Sequence, residues 1–477
     1  MAIDVNWIYW TVFIAYLMYL LVAGIRAKKQ TQNFSDFLVA GRNIGPLLMG
    51  LSLGVTYFSA SLLIGSGGFA GRYGLGTLWI GSMNAILGVA VFTWIFGNRT
   101  RALSAKIGCL TVPEMLGKRY QSQALQLYTA LITFIFEILY LVAVYMGLST
   151  LFSVIMPNVP NAYNYALILC GIITIAYLVI GGSHGAIATD LFESMIMLIG
   201  VLILLFMGLQ AVGGLPNLNT ILEGLDPGFV EFPGAGGFGL VGMILVSSMG
   251  VWGSPQMVSR YFTAKNKKSI KGGLIVSLVW ASVIAILAYL NACIALGYNA
   301  LHPFAGLSPD KSNLVPLFML AVFQSVPWLG ALFIACVTAA SLTTEEKIIL
   351  VSTSAISRDF YQKLTNCSDE KAMKLTKYMT IVITVIAVVI AMLSLKEILV
   401  VTFFAFSSMA SAILIPYFYG ALLEERDQDR CDHHGRCVFF GQYLVVVRGL
   451  CSVSSLSASR FQSRASLSPG FRKYGCI

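Results

Sequence analysis

Charge is scarce in this sequence. Only 11% of its 477 residues are Asp, Glu, Lys or Arg, while 57% are hydrophobic. A soluble globular chain is about 25% charged, so a water-soluble class is excluded. Organised cysteine is also absent. Nine cysteines are scattered without a CxxC pair; Cys170, Cys293 and Cys336 fall in apolar runs, and Cys109 and Cys367 in basic loops. That excludes a disulfide framework and a dithiol redox motif. The chain has no nucleophile–base pair of the kind an enzyme needs. It also has no filter-like repeat to suggest a channel and no appended signalling domain to suggest a sensor. Its net charge of +10 would suit nucleic acid in a soluble protein. Here the basic residues collect in short loops between apolar runs, where they act as a topology signal, so no nucleic-acid partner is expected.

Long apolar runs are abundant. The first, WIYWTVFIAYLMYLLVAGI at 7–25, is too long for a signal-peptide core and lacks a cleavage site, so it reads as a retained helix. Eleven spans are expected, at 7–26, 45–67, 75–97, 126–156, 162–180, 187–212, 237–257, 272–298, 328–360, 373–394 and 397–422. Basic residues alternate by side. One side receives Arg26, Lys28, Lys29 and Arg42, then Arg99 to Arg119, Arg260 to Lys271, and Arg358 to Lys377; loops 157–161 and 213–236 have no Lys or Arg. The positive-inside rule makes the basic side cytoplasmic and places the N-terminus outside a plasma membrane.

After residues 1–44, an N-terminal span and loop, the spans divide into two sets of five, 45–214 and 237–424. An odd number of crossings gives the sets opposite orientation. Each set opens on an interrupted helix, LSLGVTYFSASLLIGSGG at 51–68 and LVSSMGVWGSP at 245–255. Open backbone at membrane depth persists where it lines a cavity or is buried in protein. Paired interruptions in inverted halves point to a transporter site at the bilayer midplane, whereas a single one would read as close helix packing through small residues.

The stretch AASLTTEEKIILVSTSAISRDF, 339–360, puts two hydroxyls and three charges inside an apolar span. Positions 340, 343 and 344 share a helical face, so the Ala340 carbonyl and the Thr343 and Thr344 hydroxyls can meet at one point. Hard cations prefer such oxygens; equally, a buried Thr commonly bonds back to its own helix. Thr344 lies 15 residues before Asp359, or roughly 22 Å at ~1.5 Å per residue, inside a hydrocarbon core ~30 Å thick.

Four further stretches carry a resemblance: DFLVAGRNIGP at 36–46, YLVIGGSHGAIATD at 177–190, WGSPQMVSRYFTAK at 252–265 and STSAISRDFY at 352–361. In order and spacing over residues 7–420 the chain resembles the sodium:solute symporters, the family of the proline, pantothenate and sugar cotransporters. The resemblance implies an all-α polytopic membrane protein with a leucine-transporter-type core of five plus five inverted helices, preceded by one extra helix. It implies Na+ as coupling ion, no organic cofactor and a small organic solute. It also implies sodium ligands at the carbonyls of Val55, Phe58 and Ala340 and the hydroxyls of Thr343 and Thr344. Ser59 follows Phe58 as a serine does in relatives, and Asp190 sits where the family has a functionally sensitive aspartate, placed to assist ion entry or to cap its helix.

Glu345, Glu346 and Lys347 depart from the family. Each charge at a helix centre costs ~2.5–3.5 kcal/mol unless paired or wetted. Three accommodations are open: a water-filled cytoplasmic vestibule with Lys347 paired to an acid, a proton or second cation on Glu346, or a local sequence error. Glu137, in TFIFEILYLV, is a further acid in an apolar span, functional or structurally paired. Asn84 is expected to face the cavity or to bond across helices; Ser247, Ser248 and Trp252 are candidates for solute contact or gating.

The character changes after 420. Cys431, His433, His434 and Cys437 have metal-ligand chemistry. A one-nucleotide shift from residue 421, however, restores family-like Leu-Tyr-Trp-Lys. We expect a frameshift near Gly420–Ala421, with 425–477 a disordered out-of-frame tail. The expected activity is sodium-coupled symport by alternating access. A solute sensor without net transport and a proton-coupled symporter are the alternatives, and the oligomeric state is open.

Overall fold

The structure, a computed structural model, describes residues 5–28, 33–156, 159–393 and 397–422. The tail and its Cys–His group lie outside these residues. Every described element is helical, and among the described residues strand-like pairing is limited to an isolated bridge between Ile44 and Ala264.

The first span is uninterrupted, α1 (Val5–Lys28). A short α2 (Phe34–Val39) follows, started by a capping box in which Asn33 Oδ1 accepts from the Asp36 amide at 2.8 Å. The second span is broken as expected, into α3 (Pro46–Tyr57) and α4 (Ala60–Tyr73). The third runs through α5 (Thr77–Met83), two π-helical stretches (Asn84–Val91 and Thr93–Gly97) and α6 (Asn98–Lys106). A loop helix, α7 (Val112–Arg119), leads into α8 (Gln123–Ile155).

The next two spans form one continuous element, α9 (Ala162–Val212), bent at Gly182. Gly182 has φ +55°, and a Cβ there would stand 2.6 Å from the Phe37 ring, so glycine is required on both counts. A short amphipathic α10 (Gly214–Leu225) covers loop 213–236.

The second interrupted helix is α11 (Gly237–Met249), a 3-10 turn (Gly250–Gly253) and α12 (Pro255–Thr263). Gly253 permits its approach to the last span, where an added Cβ would meet Ala410 Cα at 2.5 Å. Then come α13 (Lys267–Leu301), a short α14 (Leu314–Val322) that the periodicity did not announce, and α15 (Pro327–Ser354). A π-helical stretch (Ala355–Gln362) and α16 (Lys363–Thr365) extend α15. Two further spans, α17 (Asp369–Ala391) and α18 (Ile398–Met409) with α19 (Ile415–Leu422), close the described chain.

Nine of these helical stretches are long and apolar enough to cross a bilayer, and Pro46–Tyr57 and Ala162–Ala176 are shorter apolar helices. The eleven expected spans reconcile with this because Ala60–Lys106 joins parts of the second and third spans and the fifth, 162–180, is counted among the shorter helices. Trp94, Phe206, Val279 and Val389 stand exposed on outer faces, which suits lipid. The stretch Pro327–Thr365 is the most enclosed, with 78% of its apolar window buried against 29% for the first span. It packs on α9, α8, α1 and α3. The span expected over 328–360 instead continues to Thr365; Asp359 is buried, and its Oδ1 accepts from Thr111 Oγ1 at 2.8 Å and Gln126 Nε2 at 2.9 Å.

Candidate functional site

A helix ends with unbonded carbonyls in its last turn. At the break after Tyr57, Phe58 (φ −109°, ψ 110°) and Ser59 (φ −111°, ψ 179°) are extended. The Phe58 amide bonds the Gly54 carbonyl at 3.3 Å, and Ser59 caps α4 by accepting from the Ser61 amide at 3.2 Å. The Val55 carbonyl is thereby left for α15. Thr344 Oγ1 lies 3.2 Å from it and Thr343 Oγ1 3.5 Å. The same hydroxyls lie 3.1 and 3.2 Å from the Ala340 carbonyl. Thr343 and Thr344 therefore bond back to their own helix and across to the broken one. All four oxygens belong to fully buried residues. They are neutral and form an all-oxygen set that fits a small hard cation. Phe58 stands at the break with its ring against Tyr57, centroids 4.6 Å apart; its carbonyl is not among the partners of the two hydroxyls.

Beside the break lies a cavity of about 300 Å³, lined among others by Tyr57, Ser59, Asn84, Tyr140, Tyr289 and Phe406. Its lining is aromatic and hydroxylic and has no charged side chain. Tyr289 Oη is buried without a protein partner. Asn84 lines the cavity and accepts from Ser248 Oγ across helices at 3.1 Å. Tyr57 Oη donates to the Ser247 carbonyl at 2.8 Å, while the Ser247 hydroxyl turns back to Ile244 at 3.1 Å. Trp252 lies outside the cavity lining. Its Nε1 donates to the Leu87 carbonyl at 3.0 Å and its ring stacks on Phe92, centroids 5.6 Å apart. These residues fasten the second interruption to the π-helical stretch.

The three charges of α15 are enclosed, so an open vestibule does not describe them. Glu345 accepts from Ser341 and, at 2.8 Å, from Thr174 Oγ1 of α9. Lys347 pairs with Asp190, and with Glu346 at 2.9 Å. Asp190 lies well inside α9 and is engaged by Lys347, so the reading of it as a helix cap is corrected. Glu137 is fully buried, with no side-chain partner among the described residues and the Gln256 backbone as its neighbour.

Two members of this buried polar layer escaped the sequence reading. Glu193 is fully buried on α9 and accepts from Tyr16 Oη at 2.6 Å. A single acid in an apolar window was the signal that drew attention to Glu137, and it marks Glu193 equally. Arg260 counted as a cytoplasmic loop charge but is 1% exposed on α12. Nearer the basic loops, Glu114 receives a bidentate bond from Arg358 at 2.8 and 3.1 Å and pairs with Lys118 at 2.7 Å. Burial alone raises the Glu114 carboxyl. The bonds from Arg358, the Leu110 amide and Lys118 more than offset this and hold it below the usual carboxylate range.

The profile of the sodium:solute symporter family matches residues 37–426. The chain is 25% identical over 403 residues to the osmoregulated proline transporter OpuE of Bacillus subtilis (strain 168), covering 83% of this chain and 80% of that protein. It is 24% identical over 402 residues to a sodium/proline symporter of Staphylococcus aureus (strain JH9), covering 82% and 76%. Its fold is that of a Na+-coupled sialic acid symporter solved in a substrate-bound outward-open state, with TM-score 0.74, 20% identity and 87% of each chain covered. The architecture is thus the leucine-transporter type, five plus five inverted helices after an N-terminal one. With a transporter fold, a polytopic membrane body and a family profile over most of its length, the chain belongs to the sodium:solute symporter family.

Proposed function

We propose that this protein is a sodium-coupled secondary active symporter that imports a small organic solute across the plasma membrane by alternating access. One observation carries the reading: the Thr343 and Thr344 hydroxyls converge on the orphan Val55 carbonyl of a broken helix, 3.5 and 3.2 Å away. In this reading Na+ takes those oxygens together with the Ala340 and Phe58 carbonyls and so ties α3 to α15. The two five-helix sets, 45–214 and 237–424, move against one another about this tie. Sodium favours the state in which the tie is closed, and its loss to the cytoplasm releases both ion and solute. The basic loops face the cytoplasm and the N-terminus faces out.

The solute occupies the cavity beside the break. Its lining carries no charge, and the N-terminal end of α4, with its positive partial charge, opens on it at Ser59. That arrangement favours a solute bearing a carboxylate, whether a monocarboxylate, a pantothenate-like acid or an amino acid, over a sugar. The proline transport named for two relatives supports the amino acid.

The test is charge movement in proteoliposomes on a solid-supported membrane, with a solute panel in sodium and then in choline. A sustained current with one solute, present only in sodium and lost in Thr344→Ala, is expected. An undiminished current in choline overturns sodium coupling.

A further inference from the structure

A second polar layer lies one helical turn beyond the paired threonines, and the sodium reading makes no use of it. Asp190 and Glu193 of α9 and Glu346 of α15 each bring a carboxylate oxygen within 4.8 Å of the others. On distance alone that triangle would suit a metal ion. Lys347 already occupies it, with Nζ on Asp190 Oδ1 and 2.9 Å from Glu346 Oε1. An ammonium and a metal ion do not share one cage, so the cation of this layer is a side chain of the protein. Arg260, from α12, is the other cation whose field reaches Asp190 and Glu346.

Charge does not balance. Besides Glu345, whose carboxylate is bonded by Ser341 and Thr174, three carboxylates face two fixed cations, and these five side chains are at most 1% exposed. Glu193 is bordered by Tyr16 and Tyr19 of α1, Asp190 of its own helix, and Glu346 and Lys347 of α15, with Arg260 beyond Lys347. The tyrosines are neutral. Among the described residues, Asp190 Oδ2 and Glu193 Oε2 are buried without a partner, as are Nε and Nη1 of Arg260. An enclosed surplus negative charge is untenable, and Lys347 Nζ already takes the Asp190 and Glu346 oxygens that a metal ion would need. We propose that this layer is a proton-binding site in which Glu193 carries one proton and Lys347 stands in the position a second metal cation would otherwise take. A pocket open on the basic-loop side, lined by Leu110, Val112 and Pro113, reaches Arg260 at the edge of the layer and marks the side from which the proton would enter. The inference stands apart from the sodium site, whose oxygens lie on the preceding turn of α15.

The test is infrared spectroscopy of the full chain in lipid nanodiscs at neutral pH, read in the C=O stretching band of protonated carboxylic acids and its shift in D2O. Wild-type-minus-variant spectra cancel the contributions of Glu137, Glu345 and Asp359. Glu193→Gln is expected to lose one acid's worth of band. Asp190→Asn is expected to lose the same intensity although Glu193 is intact, because two carboxylates then balance two cations. A band unchanged in Glu193→Gln overturns the proposal, and so does a band that survives in Asp190→Asn. A wild-type band seen in choline and abolished by sodium also overturns it, since the layer would then bind the metal. Both variants are near-isosteric, and a monodisperse chromatographic profile qualifies each before spectra are compared.

Discussion

Removing the ammonium of Lys347 leaves Asp190 and Glu346 buried without their shared partner, and the structure sets the size of the penalty. At 2.9 Å, one Nζ–carboxylate attraction is worth about 6 kcal/mol gross at an effective dielectric near 20. Desolvation of the ions cancels part of it, and breaking a buried pair from one side costs ~3–5 kcal/mol net. Lys347→Met is therefore expected to lose ~3–5 kcal/mol. Asp190→Asn leaves Lys347 bonded to Glu346 and is expected to lose ~1–3 kcal/mol by the same reasoning. The double variant Lys347→Met/Asp190→Asn removes one charge of each sign and restores the balance. It should be at least ~2 kcal/mol more stable than the sum of the single losses predicts, a coupling typical of residues in one network. The assay is equilibrium unfolding of the four proteins in mixed micelles titrated with SDS. Additive losses would refute the reasoning, as would a Lys347→Met variant as stable as the wild type, since either means that water reaches the layer.

Thr344→Ala should raise the sodium concentration for half-maximal binding ~10–100-fold, the worth of one oxygen contact to a charge, and Thr344→Ser should restore most of it; sodium-dependent tryptophan fluorescence reads both. Glu114 has a depressed carboxyl in the folded state, so its contribution is complete above the unfolded value of ~4.3 and is lost as pH falls through the lower folded value. Stability should therefore hold from neutral pH to about pH 5 and drop below pH ~4. Glu114→Gln should cost ~2 kcal/mol at pH 7 and flatten that drop in a pH series of unfolding curves. Cys109 is buried and its thiol is pushed up to about 12 by burial and the neighbouring Glu114 carboxylate, so it should resist maleimide at pH 7.5, while the part-exposed Cys367 reacts from the cytoplasmic side. Labelling of Cys367 from outside sealed cells would overturn the orientation. Gly182→Ala should impair folded yield, because its Cβ meets the Phe37 ring at 2.6 Å and its φ is +55°.

Hydropathy made the spans legible because lipid imposes a single demand, about twenty apolar residues with internal hydrogen bonds. Glycine, serine and proline marked both interruptions for the same reason. The α15 hydroxyls were legible as one face of a helix, but their meeting with Val55 was legible only through the family resemblance, since it depends on two helices 288 residues apart in sequence. The short α14 was missed because nine residues between loops carry too little periodicity to separate helix from apolar loop.

The charged layer failed differently. Sequence rules price a charge by its depth in its own span, so Glu345, Glu346 and Lys347 read as an anomaly needing water. The structure supplies partners from three other helices instead: Thr174, Asp190 and Glu193 from α9, Arg260 from α12 and Tyr16 from α1. Each partner looked unremarkable where it stood. Arg260 was read as a loop charge and Asp190 as an aid to ion entry or a cap, while Tyr16 sat in a helix with no internal pattern to orient it. Polar residues in membrane interiors become intelligible as sets, and a set is visible only when the helices that share it are known to touch. The same logic explains why α1, outside the repeated core, is retained against α9 and α15. Its Tyr16 hydroxyl closes the layer on one side, so Tyr16→Phe should destabilise the protein by ~1–3 kcal/mol through a stranded Glu193 oxygen. In Glu193→Leu no oxygen is left to satisfy, and the Tyr16→Phe loss should shrink below ~1 kcal/mol in the same unfolding assay. Equal losses in the two backgrounds would mean that the first helix holds its place by packing alone.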